Sequence, residues 1–75
     1  MTIQISIIGL GKIGASIGLA LSPHTGQLSR TGNDIQPKVM QAAQKQGAVD
    51  RIEYNLPACV EKADIILLAL PIDQT

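Results

Sequence analysis

Three glycines near the start of the chain have the spacing of a phosphate-binding turn. Gly9, Gly11 and Gly14 follow an isoleucine-rich run and precede apolar residues at helical spacing. Gly9 permits a sharp turn out of a strand, Gly11 lets a ligand approach the backbone, and Gly14 lets a helix pack tightly on the sheet. The helix N-terminus adds backbone N–H groups and a partial positive charge. The pattern predicts a pyrophosphate site, and the alternative is a tight strand–helix turn that binds nothing.

Asp34 is a second candidate binding residue. It lies twenty residues after Gly14, at the expected end of the second strand. A carboxylate in this place accepts hydrogen bonds from the hydroxyl groups of an adenosine ribose and repels the 2′-phosphate of NADP. We therefore expect NAD as the cofactor and NADP as the less favoured one, while Lys38 and Arg30 are near enough in sequence to serve a 2′-phosphate. The alternative role of Asp34 is to turn the chain into the next helix.

The sequence pattern offers no group for catalysis or metal binding. His24, the single histidine, follows Pro23 in a loop at the end of the first helix away from the glycine turn. Cys59 lies in a short apolar helix, and we interpret it as a small buried apolar residue. No carboxylate pair and no Cys/His cluster has the spacing of metal ligands. The sequence thus predicts cofactor binding without a catalytic residue or a metal.

Apolar patterns and turn residues predict strands that alternate with helices. We expect strands at residues 3–8, 27–32 and 64–70 with a short one within 48–54, and helices at 12–21, from Pro37 to a C-cap at Gly47, and from a cap at Asn55 to 62. The last strand is expected to be a buried parallel one. This order predicts an α/β fold, a Rossmann-type doubly wound parallel sheet, of which the chain forms the N-terminal half.

Length and composition limit the classes of protein further. Seventy-five residues make at most one small domain, shorter than a full dinucleotide-binding domain. The formal net charge is zero, which argues against nucleic-acid or membrane-surface binding. The single cysteine excludes an intrachain disulfide, and the N-terminus lacks the features of a signal peptide. No apolar run is long enough to span a membrane. We expect a cytoplasmic location.

The strands carry apolar residues on both faces, whereas the first two helices are expected to cover only one of them. The short helix at residues 56–62 is available for part of the other face. We therefore expect that the chain is part of a longer protein, or that it buries this face against another chain. The partial dinucleotide-binding domain would span residues 1–75, and the catalytic and dimerisation domain would lie outside them.

Several segments together resemble the N-terminal region of prephenate and arogenate dehydrogenases. These segments are GLGKIGAS at residues 9–16 with LAL at 19–21, GND at 32–34, GAVD at 47–50 and ADIILLALPI at 63–72. The Ala-Asp pair before the last strand and the proline after it also occur in hydroxyacid dehydrogenases and in imine or pyrroline-carboxylate reductases. Loop 22–29 and the polar second strand depart from the family, whose members are usually more hydrophobic there.

The resemblance implies an enzyme that oxidatively decarboxylates prephenate or arogenate, small-molecule substrates, in tyrosine biosynthesis, and that forms a homodimer. It also implies that Gly9, Gly11, Lys12 and Ile13 contact the pyrophosphate, the last two through backbone N–H groups. Asp34 would hold the ribose, and Leu70 and Pro71 would line the cofactor cleft. The catalytic histidine and the arginine for the substrate carboxylate would lie beyond this chain. The alternatives are another enzyme of the superfamily and a dinucleotide-binding module that catalyses nothing.

Overall fold

Four strands alternate with three helices in the part of the chain that the structure describes. The structure is a computed structural model, and it describes residues 2–24 and 26–69. The strands are β1 (Ile3–Ile8), β2 (Leu28–Asn33), β3 (Arg51–Ile52) and β4 (Ile65–Leu68), and the helices are α1 (Lys12–Ala20), α2 (Pro37–Lys45) and α3 (Leu56–Glu61). A single 3-10 turn, Ser22–His24, follows α1. Each predicted helix and strand is confirmed, with ends shifted by a few residues.

Local signals set the ends of the second and third helices. Gly47 follows α2 with φ +85°, a conformation that side chains with a Cβ rarely adopt. The side chain of Asn55 accepts a hydrogen bond from the backbone N–H of Ala58 at 2.9 Å and so caps α3. Both caps are as the sequence predicts.

The four strands form one parallel sheet in the order β3-β2-β1-β4. In the register, Ile5 of β1 pairs with Arg30 of β2 on one side and with Ile65 of β4 on the other. Because β3 and β4 lie on opposite sides of the β2–β1 pair, the order of the strands reverses beside β1. This reversal is the point where doubly wound sheets bind their ligands. The predicted α/β fold, a Rossmann-type doubly wound parallel sheet, is confirmed.

The main core lies between the sheet and the pair of helices α1 and α2. Ile7 of β1 and Met40 of α2 are its largest fully enclosed side chains, with 0% and 1% of their surfaces exposed. The other buried members of this cluster are Ile5, Leu10, Ala43, Ala48 and Val49. The core is entirely aliphatic apart from the thioether of Met40, in agreement with the scarcity of aromatic residues.

Two glycines let α1 pack directly on neighbouring backbone. A Cβ on Gly14 would overlap the carbonyl oxygen of Gly9, and a Cβ on Gly18 would overlap the carbonyl oxygen of Ala48. The helix is therefore seated at two points, one near each end. Any larger residue at either point would force α1 away from the sheet.

Arg30 explains why the polar second strand is stable. Its side chain points to the α1 and α2 face, is 4% exposed, and pairs with the carboxylate of Asp50, with Nη2 3.0 Å from Oδ1. Nη1 donates to the backbone oxygens of Gly18, Gly47 and Ala48 at 2.6, 2.8 and 3.0 Å. Because it is buried and fully paired, Arg30 is not available to a 2′-phosphate, so the suggestion that it could serve one is wrong.

The opposite face of the sheet is polar along β1 and apolar along β4. Ser6 Oγ donates to the backbone oxygen of Cys59 in α3 at 2.5 Å, which ties that helix to the middle strand. On β4, however, Ile66 and Leu68 are 47% and 71% exposed. The expectation that this strand is buried is therefore wrong for the described residues, because β4 lies at the edge of the sheet and α3 does not cover it.

Candidate functional site

A cleft of about 620 Å³ opens at the carboxyl ends of the strands, where the strand order reverses. The backbone N–H of Ala69 donates to the oxygen of Ile8 at 2.8 Å and joins the ends of β4 and β1 at this edge. The residues lining the cleft are Ile8, Gly9, Gly11, Lys12, Ile13, Asn33, Asp34, Ile35, Gln36, Val39, Leu56 and Ala69. Five of the predicted site residues are among them, and these are Gly9, Gly11, Lys12, Ile13 and Asp34.

The glycine turn has the shape that its sequence predicts. Gly9 has φ +92°, and its N–H donates to the oxygen of Asn33 at 2.8 Å, which holds the turn against the end of β2. At Gly11 a Cβ would meet nothing within 4 Å, so the space above it is open to the cleft. Gly14, in contrast, faces the sheet and allows close packing. The turn thus combines one glycine with positive φ, one beside open space and one that is tightly packed.

The N-terminus of α1 points backbone N–H groups at this cleft. Gly11 is the N-cap, it provides no side-chain hydrogen bond, and the first turn contains no acidic residue. The N–H of Ala15 donates to the oxygen of Gly11 at 2.9 Å, while the N–H groups of Lys12, Ile13 and Gly14 precede the first intrahelical bond. Together with the helix dipole, these donors form a site of the kind that binds phosphate.

Asp34 belongs both to the cleft and to the turn into α2. Its Oδ2 accepts the backbone N–H of Leu10 at 2.8 Å, and its Oδ1 accepts the backbone N–H of Gln36 at 2.9 Å. Each carboxylate oxygen has a second lone pair, so both can still accept a hydrogen bond from a ligand. The two roles considered for Asp34 are therefore compatible, since turning the chain fixes the carboxylate at the rim of the cleft.

Exposed apolar side chains form part of the cleft wall, and the sequence pattern did not reveal those of Ile35 and Leu56. Ile35 is 93% exposed, Ile13 is 62% exposed and Leu56 is 46% exposed. They come from the loop after β2, from α1 and from α3, so their proximity depends on the tertiary fold. The only feature of the sequence that could have indicated this wall is the apolar residue Ile35 directly after Asp34. Such a wall suits a flat apolar group such as a purine ring.

Two lysines lie close to the glycine turn. Lys12 and Lys38 line a smaller neighbouring cleft of about 340 Å³ between α1 and α2, and this cleft shares Gly11, Lys12 and Val39 with the main one. Both side chains are exposed. Lys38 remains the basic residue near Asp34 that could approach a 2′-phosphate. Leu70 and Pro71, which were predicted to line the cleft, lie outside the described residues.

No catalytic group or metal centre is found among residues 2–24 and 26–69. They contain no group of three or more His, Cys, Asp or Glu residues that could hold a metal ion. Cys59 is 4% exposed, and burial raises the pKa of its thiol, so it is not a reactive nucleophile. His24 is exposed and follows the C-terminal end of α1, away from the cleft. Across the same residues, no helix has the length and apolar character that crossing a membrane requires.

The fold and the cleft define the class of the protein, which is that of Rossmann-type dinucleotide-binding domains. A parallel sheet that reverses beside β1, a glycine turn into α1 and an acidic residue at the end of β2 occur together in it. The family model described as NADP oxidoreductase, coenzyme F420-dependent, matches residues 4–75. The chain belongs to this family.

The chain is similar to several dehydrogenases. The chain is 40% identical over 72 residues to prephenate dehydrogenase of Lactococcus lactis, covering 96% of this chain and 20% of that protein. The crystal structure of Synechocystis arogenate dehydrogenase superposes with a TM-score of 0.77 at 28% identity, covering 93% of this chain and 24% of the other. A Chromobacterium violaceum dehydrogenase in complex with NADH and UDP-GlcNAcA gives a TM-score of 0.75 at 26% identity, covering 93% and 21%.

These relatives confirm the resemblance to prephenate and arogenate dehydrogenases that the sequence motifs indicate. The chain spans about a fifth of the length of the curated relative and between a fifth and a quarter of the two structures. The similarity therefore concerns the dinucleotide-binding fold and not the remainder of those enzymes.

Proposed function

We propose that this chain is the NAD-binding part of a prephenate or arogenate dehydrogenase. The observation that carries the proposal is the open space above Gly11, at the N-terminus of α1 and beside the carboxylate of Asp34. The similarity to two enzymes that act on these related substrates supports the choice of reaction. Residues 1–75 would then be part of a dinucleotide-binding domain, with the catalytic and dimerisation domain elsewhere in the protein.

In this proposal each part of the cleft binds one part of NAD. The pyrophosphate would lie over Gly11 and accept hydrogen bonds from the N–H groups of Lys12 and Ile13, since these donors have no partner in the helix. The free lone pairs of Asp34 would accept hydrogen bonds from the ribose hydroxyls. The apolar side chains of Ile35 and Leu56 would flank the adenine. Leu70 and Pro71 would line the cofactor cleft, as the family resemblance implies.

The choice of NAD over NADP rests on the charge and position of Asp34. A carboxylate fixed at the ribose position repels a 2′-phosphate, and desolvation of the bound ligand strengthens that repulsion. Burial of Arg30 removes one of the two basic residues that could offset it. Lys38 is exposed and is the second residue of α2, and the family model that matches the chain is named for NADP, so NADP is the competing outcome of the binding experiment.

Bound NAD would supply the hydride acceptor for oxidation of the substrate. The residues of this chain would hold and orient the cofactor, because no acid, base or nucleophile lines the described cleft apart from Asp34 and Lys12. Proton transfer and recognition of the substrate carboxylate would fall to the rest of the protein. The enzyme would be a cytoplasmic homodimer that acts on a small molecule.

An activity assay of the full protein tests this proposal. Prephenate or arogenate with NAD should give reduced nicotinamide and carbon dioxide in equal amounts. Turnover of a hydroxyacid, or reduction of a cyclic imine, with neither of these substrates accepted would favour another enzyme of the superfamily. Binding of NAD without turnover of any of these compounds would favour a non-catalytic dinucleotide-binding module.

A further inference from the structure

Arg30 joins three segments at a buried point behind the cleft. It comes from the middle of β2, pairs with Asp50 just before β3, and donates from one nitrogen to Gly18 in α1 and to the α2–β3 loop. The carboxylate of Asp50 also accepts the backbone N–H of Arg30 at 2.8 Å and its Nε at 3.3 Å. The guanidinium is thereby fixed in orientation, and each of its three nitrogens has an acceptor.

This junction is one of the two points that seat α1. At the other point, Gly14 packs on the carbonyl of Gly9 beside the phosphate turn. A nine-residue helix is a stiff rod about 13 Å long, so the position of its C-terminal half determines the direction of the N–H groups at its N-terminus. A shift at Gly18 would therefore turn the N–H groups of Lys12 and Ile13 away from the cleft.

The charge of Arg30 also suits its place at α1. The carbonyl oxygens of the last turn carry the negative end of the helix dipole, and a cation there stabilises the helix. Gly18 supplies one of these oxygens, 2.6 Å from the guanidinium. The hydrogen bond from Arg30 lowers the pKa of Asp50, so the pair is ionised at neutral pH. A buried arginine with these partners anchors the end of α1 opposite to the phosphate turn.

We infer that Arg30 is a positioning residue for pyrophosphate binding, which acts through α1 and does not touch the ligand. The inference rests on the proposed function of the cleft. Loss of Arg30 should weaken binding of the pyrophosphate and leave binding of the nucleoside unchanged. Loss of a residue that only stabilises the fold would weaken binding of the pyrophosphate and of the nucleoside equally, or would change neither.

The experiment compares three ligands on the full protein. NAD and ADP both contain the pyrophosphate, whereas adenosine lacks it. The double variant Arg30→Met with Asp50→Leu replaces the pair by apolar groups of similar size, a change that folded proteins often tolerate. Arg30→Lys keeps a cation but loses the planar set of donors. Cys59→Ala, on the opposite face of the sheet, serves as a control for a general loss of stability.

In the double variant, NAD and ADP should bind roughly threefold to thirtyfold more weakly, and adenosine should stay within about twofold of the wild type. Arg30→Lys should show a smaller loss with the same preference for ligands that contain the pyrophosphate, and Cys59→Ala should bind all three normally. Unchanged ADP binding in the folded double variant would overturn the inference, and so would equal losses for ADP and adenosine. If no Arg30 variant folds, its role is in folding alone and the inference is wrong. A wild-type protein that binds neither NAD nor NADP would instead refute the proposed function.

Discussion

The carboxylate of Asp34 accepts the backbone N–H of Leu10 at 2.8 Å, and this hydrogen bond ties the end of β2 to the glycine turn. Leu10 is buried in the core and only 3% exposed, so the glycine turn is also held by the packing of this side chain. The predicted ribose acceptor and the predicted phosphate turn therefore form one rigid unit. An acidic residue here therefore shapes the turn, and in the proposed complex with NAD the same carboxylate would select the ligand.

Asp34→Asn should reduce the preference for NAD over NADP. The amide has the same size and keeps one oxygen for the N–H of Gln36, but it removes the charge that repels a 2′-phosphate. We expect NAD affinity to fall by about tenfold, because an acceptor for the ribose is lost, and NADP affinity to fall less or to rise. Calorimetric titration with both dinucleotides measures the change.

Asp64→Asn is the matched control for that experiment. Asp64, directly before β4, also accepts a backbone N–H, that of Gln4 at 2.7 Å. This hydrogen bond lies at the amino ends of β1 and β4, at the edge of the sheet opposite to the cleft. The control should change stability without changing the ratio of NAD to NADP affinity. An Asp34→Asn protein with the wild-type ratio would refute the assigned role of the carboxylate.

Gly14→Ala should destabilise the fold. The added Cβ would overlap the carbonyl group of Gly9. Because these are backbone atoms, no flexible side chain can move aside to relieve the overlap. Overpacking of this kind costs about 1–3 kcal/mol or more. Thermal unfolding should show a clear drop in Tm. Gly26→Ala is the control, since a Cβ there meets nothing within 4 Å, and equal Tm values for the two variants would contradict the packing described for α1.

Acid should weaken the fold partly through Asp50. Its hydrogen bond from Arg30 lowers the pKa of Asp50 in the folded state, so the ion pair stabilises the protein at pH values above the ordinary pKa of an aspartate. This contribution should be lost as the pH falls below the ordinary pKa of an aspartate and through the lower folded pKa of Asp50. Denaturant titrations of wild type and Asp50→Asn should differ most near neutral pH and converge in acid. A constant difference between the two at all pH values would contradict the assignment.

Local signals in the sequence were sufficient for the secondary structure and for five of the twelve residues that line the cleft. The turn at Gly9 depends on its own positive φ, and the C-cap at Gly47 and the N-cap at Asn55 depend on neighbours within four residues. Parallel strands then bring their carboxyl ends to one edge, so the approach of Asp34 to the glycine turn followed from the order of elements. Interactions of this kind can be inferred from sequence because their partners are near in the chain or fixed by topology.

Other features required the tertiary structure. In the sequence Arg30 is only one of the polar residues of β2, and the packing of α1 and of the α2–β3 loop against it is needed to show that its partners are the carboxylate of Asp50 and backbone oxygens. The apolar wall made by Ile35 and Leu56 likewise joins residues from separate loops and helices. The apolar run of β4 predicted a buried strand, but burial depends on what covers the edge of the sheet and not on composition alone.

Titration of NAD into the wild-type protein and into Gly11→Ala tests whether the cleft at the N-terminus of α1 binds the pyrophosphate of NAD. A Cβ on Gly11 meets nothing within 4 Å and its φ is −72°, so the variant should fold, with a loss of about 1 kcal/mol of stability because alanine is a poorer N-cap than glycine. In the proposed complex the pyrophosphate lies over Gly11, which lines the cleft, so an added Cβ would crowd it. We expect the wild type to bind NAD and Gly11→Ala to bind it more weakly by about tenfold or more. A wild type that binds neither NAD nor NADP, or a folded Gly11→Ala protein with undiminished affinity, would contradict this expectation.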